Sequence, residues 1–572
     1  MMKANYIKME LLVILLALAI GIYSQSSALV NKYMINDDAM QHIYWMRQFQ
    51  NNGLFINDLL TENARYFLPW GFVFLYYASS YLIDPVIVSK FLALILFPIS
   101  ALYIYKLLKR IANSNYTGFM GAVIFIITAT FYKFMIGGHP RAFGFPLLII
   151  FLYCLIQKQY LGAAIVMILQ SLLYPVVFLL STVTYLCTFI KIRDKKIYFD
   201  KVYYKIWFFI IATLIGYSLL ISKYIVSYNP QLGTIVSRRE VLDHPEFYQK
   251  GRFEVMPIGS LLSQIKYNLK ESIFGYRMVE YLKEHIINSE AVRIYEGIIE
   301  PFRLKISITN EIAVIFFIFL LLVGIRKKIS FPPEIYYLFF SGILWYWISD
   351  YLLFKLYRPE RYLQYSVRII GLIFFSVVIG RLIGGIKNSR LKKLLKIATI
   401  VLVLLFFHVN KNLALVDLSQ NKELYEYLSN LPENAVIAAH PCLADGIPIF
   451  TQKKVFINFE LSNPWYNIYW KTIEKRTYDF FNAYYSEKPK HIYEFCNKNG
   501  IDYLVVDKKH FQEGYLTEEM VYFEPFQRYI SNLLKERKHF ILPNMEEQDL
   551  LFHKSGITVI GKETFEVIHD SN

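Results

Sequence analysis

The sequence contains many runs of about 20 residues with almost no charge, the length needed to cross the hydrocarbon core of a bilayer. Hydrophobic residues make up 55% of the 572 residues and charged residues only 19%. In soluble domains, hydrophobic residues usually make up about 45–50% and charged residues about 25%. Many Tyr and Trp residues stand at the ends of the apolar runs, as in interfacial belts. The chain is therefore predicted to be a mainly α, polytopic α-helical membrane protein.

The apolar runs predict about eleven membrane spans. The run 68–83 is rich in aromatic residues, and we interpret it as a juxtamembrane segment rather than a span. The N-terminal run is long and has no clear small-residue cleavage site after it, which favours an uncleaved anchor. The predicted spans are 10–30, 86–105, 116–134, 142–157, 161–174, 175–190, 206–223, 309–325, 335–354, 366–386 and 395–410.

The net charge of +16 lies largely in short loops between the apolar runs. This pattern is the positive-inside bias of cytoplasmic loops, and it argues against a nucleic-acid partner, which would require a basic soluble surface. The bias predicts a multi-pass cell-membrane protein with a cytoplasmic N-terminus. If 68–83 were counted as a span, five basic loops would lie outside the membrane, which the positive-inside bias rejects. These loops are 106–110, 157–159, 191–196, 325–328 and 387–396.

The same topology divides the chain into a transmembrane domain, 1–410, and a C-terminal extracytoplasmic α/β domain, 411–572. The outer loops of the first domain are 31–85 and 224–308. In the second domain, short β-branched runs predict strands, and 465–483 and 488–499 are predicted helices, the second ending at Gly500. The predicted strands are 435–440, 454–459, 503–507 and 556–561.

Cysteine usage gives little functional information. Cys154 and Cys187 lie in apolar runs, whereas Cys442 and Cys496 lie in the C-terminal region and could pair if it is extracytoplasmic. The chain has no CxxC or HExxH motif, which argues against a structural zinc site.

An acidic pair, Asp37 and Asp38, follows the first predicted span directly. Carboxylates at a membrane surface are costly without a partner or a role, which makes the pair a candidate for general-base catalysis. His42 would share a helix face with Asp38, and a divalent metal on these two side chains is compatible with the sequence but not required. Alternatively, one of Asn36, Asp37 and Asp38 only caps the following helix.

Two turns on the predicted outer side carry ionisable residues. The turn GGHPRAFGFP contains His139 and Arg141 beside two glycines that permit a tight backbone. Arginine suits a phosphate ligand, although a turn histidine and an interfacial arginine would also explain the pattern.

The second turn, YRPERYLQYSVRI, contains three arginines where the positive-inside bias disfavours them. Arg358, Arg361 and Arg368 therefore indicate an anionic ligand such as a lipid phosphate or pyrophosphate. Glu360 could neutralise one of the first two arginines, but a single carboxylate cannot neutralise all three.

The acidic pair after span one, the aromatic juxtamembrane run, the many spans and the outer C-terminal domain together resemble the GT-C superfamily. These are polytopic membrane glycosyltransferases that use polyprenyl-phosphate-linked sugars. The segment NDDAMQHIYW stands where that superfamily keeps its first-loop acidic motif. The WWDYG signature of oligosaccharyltransferase catalytic subunits is absent, and NPWYNIYW is a different sequence.

The resemblance implies transfer of a hexosyl or pentosyl group from a polyprenyl-phosphate donor to a hydroxyl of a lipid or glycan acceptor, with inversion. Asp37 or Asp38 would take the proton, and the arginines, with Arg141, would stabilise the departing phosphate. The alternative function is a non-enzymatic membrane protein, either a lipid or polysaccharide carrier or a structural protein. A carrier would show ionisable residues at mid-membrane depth or two related halves.

Overall fold

The computed structural model describes residues 2–193, 196–199, 202–273, 308–406, 411–512, 515 and 521–570. The chain is mostly helical, with a small sheet region. Residues 274–307, which make up much of the predicted loop 224–308, lie outside the described residues.

Helices long and apolar enough to cross a membrane identify an integral membrane protein. Within the described ranges, four helices meet these criteria by length and composition, and the arrangement with eleven spans remains a prediction. These four helices are Lys8–Val30, Pro85–Ala112, Tyr203–Val226 and Glu360–Gly384.

Many of the other helices are shorter than a bilayer is thick. The run 68–83 contains Trp70–Ser80, a helix of 11 residues, about half the length that a span requires. Further apolar helices of 13 or 14 residues are Asn115–Ile127, Gly144–Ile156, Tyr160–Leu173 and Pro175–Cys187. Three longer helices, of 19, 20 and 18 residues, are Ile308–Arg326, Pro333–Leu352 and Ser389–Phe406.

Local sequence signals set the helix boundaries. The side chain of Asp84 accepts a hydrogen bond from the backbone N–H of Val86, and Pro85 occupies the first helical turn, where its missing N–H has no cost. The helix ends at Asn113 in the left-handed conformation. Ser114 then caps the next helix, so two apolar helices join in a tight hairpin.

The helix Glu360–Gly384, called here the arginine helix, packs closely against its neighbours through small residues. A Cβ atom on Gly380 would lie 2.1 Å from Thr117 Oγ1, and one on Gly371 would lie 2.3 Å from Ser272 Oγ. Small residues let helix backbones approach closely in a membrane. The arginine helix is therefore held in a fixed position.

The C-terminal region contains a five-stranded mixed sheet flanked by helices. Val436–Ala439 pairs in parallel with Lys454–Val455 on one side and Tyr503–Asp507 on the other. Ile557–Gly561 pairs antiparallel with the latter strand, and Phe552–Lys554 forms the edge.

The helices predicted in this region are confirmed as Asn467–Tyr484 and Pro489–Asn499, the second followed by Gly500 in the left-handed region. The predicted strand 454–459 is shorter, at Lys454–Val455, and Phe552–Lys554 was not predicted. The location of this region outside the membrane stays a prediction. Its other helices are Lys422–Ser429, Pro441–Ala444, Gly446–Thr451, Phe526–Glu536 and Lys562–Asp570.

The C-terminal region is joined to the segment that follows the first helix. Met34 pairs with Asp417 and Ile35 with Val416 in a short antiparallel bridge. All four cysteines, which lie within the described residues, have free thiols. Cys442 and Cys496 therefore do not form the pair that the sequence left open.

Candidate functional site

The acidic pair lies in the first turn of a six-residue helix, Asp37–His42, called here the acidic helix. Asn36 caps this helix, and its side chain accepts a hydrogen bond of 3.1 Å from the backbone N–H of Asp38. Negative charge in a first turn is favourable because it faces the positive end of the helix dipole. The capping residue is thus Asn36, and the Asp37 carboxylate accepts from the same N–H of Asp38 through Oδ1 at 2.9 Å.

Asn36 also joins three segments of the chain. It is 3% exposed, and its side-chain amide donates to the carbonyl of Ala414 at 2.7 Å. A Cβ atom on Gly137 would lie 2.1 Å from Asn36 Oδ1, so the turn at Gly137 packs directly on this side chain. Asn36 therefore fixes the acidic helix against both that turn and the C-terminal region.

Replacing Asn36 by alanine is expected to destabilise the protein by about 1–2 kcal/mol, since a helix cap is lost and the Ala414 carbonyl loses its donor. Asn36→Ser, which keeps a cap acceptor, should lose less. Thermal unfolding of the purified protein in detergent measures both effects. The exposed Asn497→Ala is the matched control, and equal melting temperatures for Asn36→Ala and this control would contradict the assignment.

The turn that follows Phe134 brings two further side chains to Asp38. Gly137 and Gly138 have φ of +92° and +59°, and a Cβ atom on Gly138 would lie 2.4 Å from Ser89 Cα; only glycine fits there. The turn places a guanidinium nitrogen of Arg141 2.5 Å from Asp38 Oδ2. It also places His139 Nε2 3.3 Å from the same oxygen.

The pKa values around Asp38 are strongly shifted. Burial alone would raise the pKa of Asp38, but the charges around it, with Arg141 first among them, together outweigh burial and hold this pKa well below its ordinary value of 3.8. Burial lowers the pKa of His139 to about 3 and that of His42 to about 4, against the opposing effect of Asp38. Both imidazoles are therefore neutral near pH 7, and Arg141 is the principal countercharge.

Asp37 lies in a different environment. Its side chain is open to solvent on one side, and no ion pair to it occurs within the described residues. Desolvation by the surrounding protein and the negative charge of Asp38 raise its pKa. Because a higher pKa means a more basic carboxylate, Asp37 is the better proton acceptor of the pair.

The arginine helix supplies the positive side of the site. The Tyr365 hydroxyl donates to the Arg141 carbonyl at 3.4 Å, which connects this helix to the glycine turn. The charge of Arg361 acts on Asp38, and its guanidinium donates to Gln364 at 3.2 Å. Arg361 forms no ion pair among the residues that the structure describes, so its charge is available to an anion.

The other two predicted arginines differ in their partners. Arg358 forms a close ion pair with Glu360, which is the neutralising contact that the sequence left open. Arg368 is 2% exposed and donates to Asn268 Oδ1 at 2.7 Å. The structure therefore groups Asp38, His139, Arg141 and Arg361 around one point, with Arg368 deeper. The catalytic or binding role of each residue stays a prediction.

The side chains around Asp38 do not fit a metal ion held by the protein. Asp38 and His42 share the acidic helix, but Arg141 already occupies the Asp38 carboxylate. No group of three or more His, Cys, Asp or Glu side chains that could hold a metal lies within the described ranges.

A third carboxylate near the acidic pair was missed by the sequence analysis. The Gln41 side chain donates to the Glu460 carbonyl at 2.6 Å, and Arg252 contacts the Glu460 carboxylate at 3.2 Å. Burial raises the pKa of Glu460, and the charges of Asp37 and Asp38 add to this. No sequence signal indicated this contact, because Gln41 and Glu460 are 419 residues apart.

The chain matches no protein-family model and no curated protein. It is similar in structure to the archaeal oligosaccharyltransferase AglB from Archaeoglobus fulgidus in complex with an inhibitory peptide and a dolichol-phosphate. The TM-score is 0.44 at 13% identity, over 91% of this chain and 72% of that chain. The apo form of the Archaeoglobus fulgidus enzyme gives a TM-score of 0.43 at 11% identity, over 89% and 70%.

Both neighbours are oligosaccharyltransferases. The functional interpretation rests on the side chains described above.

Proposed function

We propose that the chain is a membrane glycosyltransferase that moves a sugar from a polyprenyl-phosphate donor to an acceptor hydroxyl. One observation carries the proposal: Asp38 lies between the solvent-open Asp37 and a guanidinium cluster that includes Arg141 and Arg361. A transfer site of this kind needs a base on the acceptor side and cations on the phosphate side. The arrangement supports both functions in one place.

The proposed reaction is a single displacement. The acceptor oxygen attacks the anomeric carbon, and the bond from that carbon to the phosphate oxygen breaks on the opposite face, so that the configuration inverts. The electron pair stays with the leaving polyprenyl phosphate, whose negative charge Arg361 and Arg141 stabilise without protonating it. Asp37 takes the proton of the acceptor hydroxyl.

Asp38 has a positioning role in this proposal. Its carboxylate contacts Arg141 and, more weakly, His139, and its lowered pKa makes it a poor base. It holds the guanidinium of Arg141 in place with a charge-assisted hydrogen bond. The two carboxylates thus have different roles in this proposal: Asp37 is the base, and Asp38 orients the guanidinium of Arg141.

The site is proposed to face the outer side of the membrane. The basic loops 106–110 and 387–396 favour a cytoplasmic location, and this places the acidic helix and the region 411–572 on the opposite side. The division into domains 1–410 and 411–572 and the arrangement with eleven spans belong to the same proposal.

The test measures the release of polyprenyl phosphate by purified protein in proteoliposomes. Both transfer of the sugar to an acceptor and hydrolysis of the donor release this product. A panel of polyprenyl-phosphate hexoses and pentoses serves as donor. Arg361→Gln is expected to raise the KM for the donor about tenfold or more, because a charge-assisted contact is lost. Arg390→Gln, an exposed arginine far from the site, is the control. Failure of the wild-type protein to consume any donor would overturn the proposal.

A further inference from the structure

One aromatic ring lies at the centre of the arginines of the site. The guanidinium carbons of Arg368, Arg141 and Arg361 lie 5.1, 5.2 and 5.8 Å from the centroid of the Phe134 ring. Each lies within the range in which the negative face of an aromatic ring attracts a cation. Three arginines from two segments of the chain thus share one phenyl ring.

Of these three arginines, only Arg141 forms an ion pair among the described residues, with Asp38. Arg368 donates to the neutral Asn268 and Arg361 to the neutral Gln364, while the carboxylates of Glu271 and Glu360 act on them without direct contact. The Nε atoms of Arg141 and Arg361 are buried without a hydrogen-bond partner. Three positive charges held close together repel one another, and the negative face of the Phe134 ring offsets part of this repulsion.

The surroundings of Phe134 hold its ring in place. Its ring meets those of Phe145 and Tyr365 edge to face, with centroids 5.7 and 5.9 Å apart. This is a preferred geometry for aromatic pairs. The ring is half-buried, and Tyr365 is the residue whose hydroxyl contacts the Arg141 carbonyl. The orientation of the ring is therefore coupled to the glycine turn and to the arginine helix.

We propose that Phe134 is a positioning residue that holds Arg141, Arg361 and Arg368 together as a preformed binding site for a phosphate group. This inference rests on the proposed function, because the phosphate is the one carried by the donor. In this role the ring acts on the arginines. It acts by lowering the cost of keeping the three cations together, so that less binding energy is spent on arranging them when the anion arrives.

The test is the binding of farnesyl phosphate, a short polyprenyl phosphate, to the full chain in detergent, with farnesol as the uncharged control. Phe134→Leu keeps an apolar side chain but removes the ring, and is expected to weaken farnesyl phosphate binding about five- to tenfold. Phe134→Tyr keeps the ring and should bind within about twofold of the wild type. Farnesol should bind all three proteins equally, because it carries no charge.

The outcomes separate this inference from the proposed function. If the wild-type protein binds farnesyl phosphate no better than farnesol, the phosphate site itself is wrong. If it prefers farnesyl phosphate and Phe134→Leu keeps that preference, the phosphate site stands and the role of Phe134 is wrong. Equal losses for farnesyl phosphate and farnesol in Phe134→Leu would show a general packing effect and would also overturn the role of Phe134.

Discussion

Replacing Asp37 by asparagine is expected to lower kcat by about 10²–10⁴-fold, the usual contribution of a general base. Asp38→Asn should cost less, because the pKa of Asp38 lies well below its ordinary value and its carboxylate is already engaged with Arg141. Donor turnover in proteoliposomes measures both variants, and the exposed Asp243→Asn is the matched control. Retention of more than half of the activity by Asp37→Asn would remove Asp37 from the reaction.

The wild-type protein and Asp38→Asn should also differ in the pH dependence of kcat/KM. Desolvation and the charge of Asp38 raise the pKa of Asp37 above 3.8, and the base must be ionised to act. The acidic limb of kcat/KM is therefore expected to have its midpoint above pH 3.8 in the wild-type protein. In Asp38→Asn the neighbouring charge is gone, the pKa of Asp37 falls, and the limb should move to lower pH. Movement to higher pH would contradict the assignment of the base.

Replacing Arg141 by glutamine is expected to destabilise the protein by about 1–3 kcal/mol, because it leaves the largely buried Asp38 carboxylate without its main countercharge. In the wild-type protein the depressed pKa of Asp38 contributes stability that is present above pH 3.8 and is lost as the pH falls through the folded-state pKa. In the variant, burial raises this pKa instead, so ionised Asp38 opposes folding. The loss in melting temperature should be larger at pH 7 than at pH 4.

A double-mutant cycle tests the physical reason for this effect. If Arg141→Gln destabilises by leaving a charge unpaired, it should cost much less in an Asp38→Asn background, where the charge is absent. An equal cost in both backgrounds would show that Arg141 stabilises the fold through other contacts, such as its contact with the Phe134 ring.

The sequence predicted the parts of the fold that depend on local patterns. The short β-branched runs at 436–439 and 503–507 are strands, and the helix at 489–499 ends at a glycine in the left-handed region. The segment 454–459 has similar composition, yet only Lys454–Val455 is a strand. Pairing with a neighbouring strand, which composition does not encode, sets its length.

Some residues of the candidate site could be predicted from the sequence and others could not, because local patterns do not show which distant segments meet. The acidic pair and Arg141 stand out because charges are rare beside apolar runs, and the structure brings Asp38 and Arg141 within 2.5 Å. Arg358 gave the same signal but is paired with Glu360. Phe134 is one of 46 phenylalanines and carries no distinguishing pattern. Its position among three arginines becomes visible only when distant segments are brought together.

The contact between Asn36 and Ala414 also bears on the order in which the protein assembles. The two residues are 378 positions apart, and the bridge of Met34–Ile35 with Val416–Asp417 spans a similar distance along the chain. Contacts of such sequence separation form late, because the entropy of closing a long loop must be overcome first. During synthesis the acidic helix therefore lacks the contact between Asn36 and Ala414 until the segment around Ala414 has left the ribosome. A chain that is still being inserted would hold the proposed phosphate-binding arginines in the membrane before the proposed base is in place, so the proposed activity would begin only after the C-terminal region has docked.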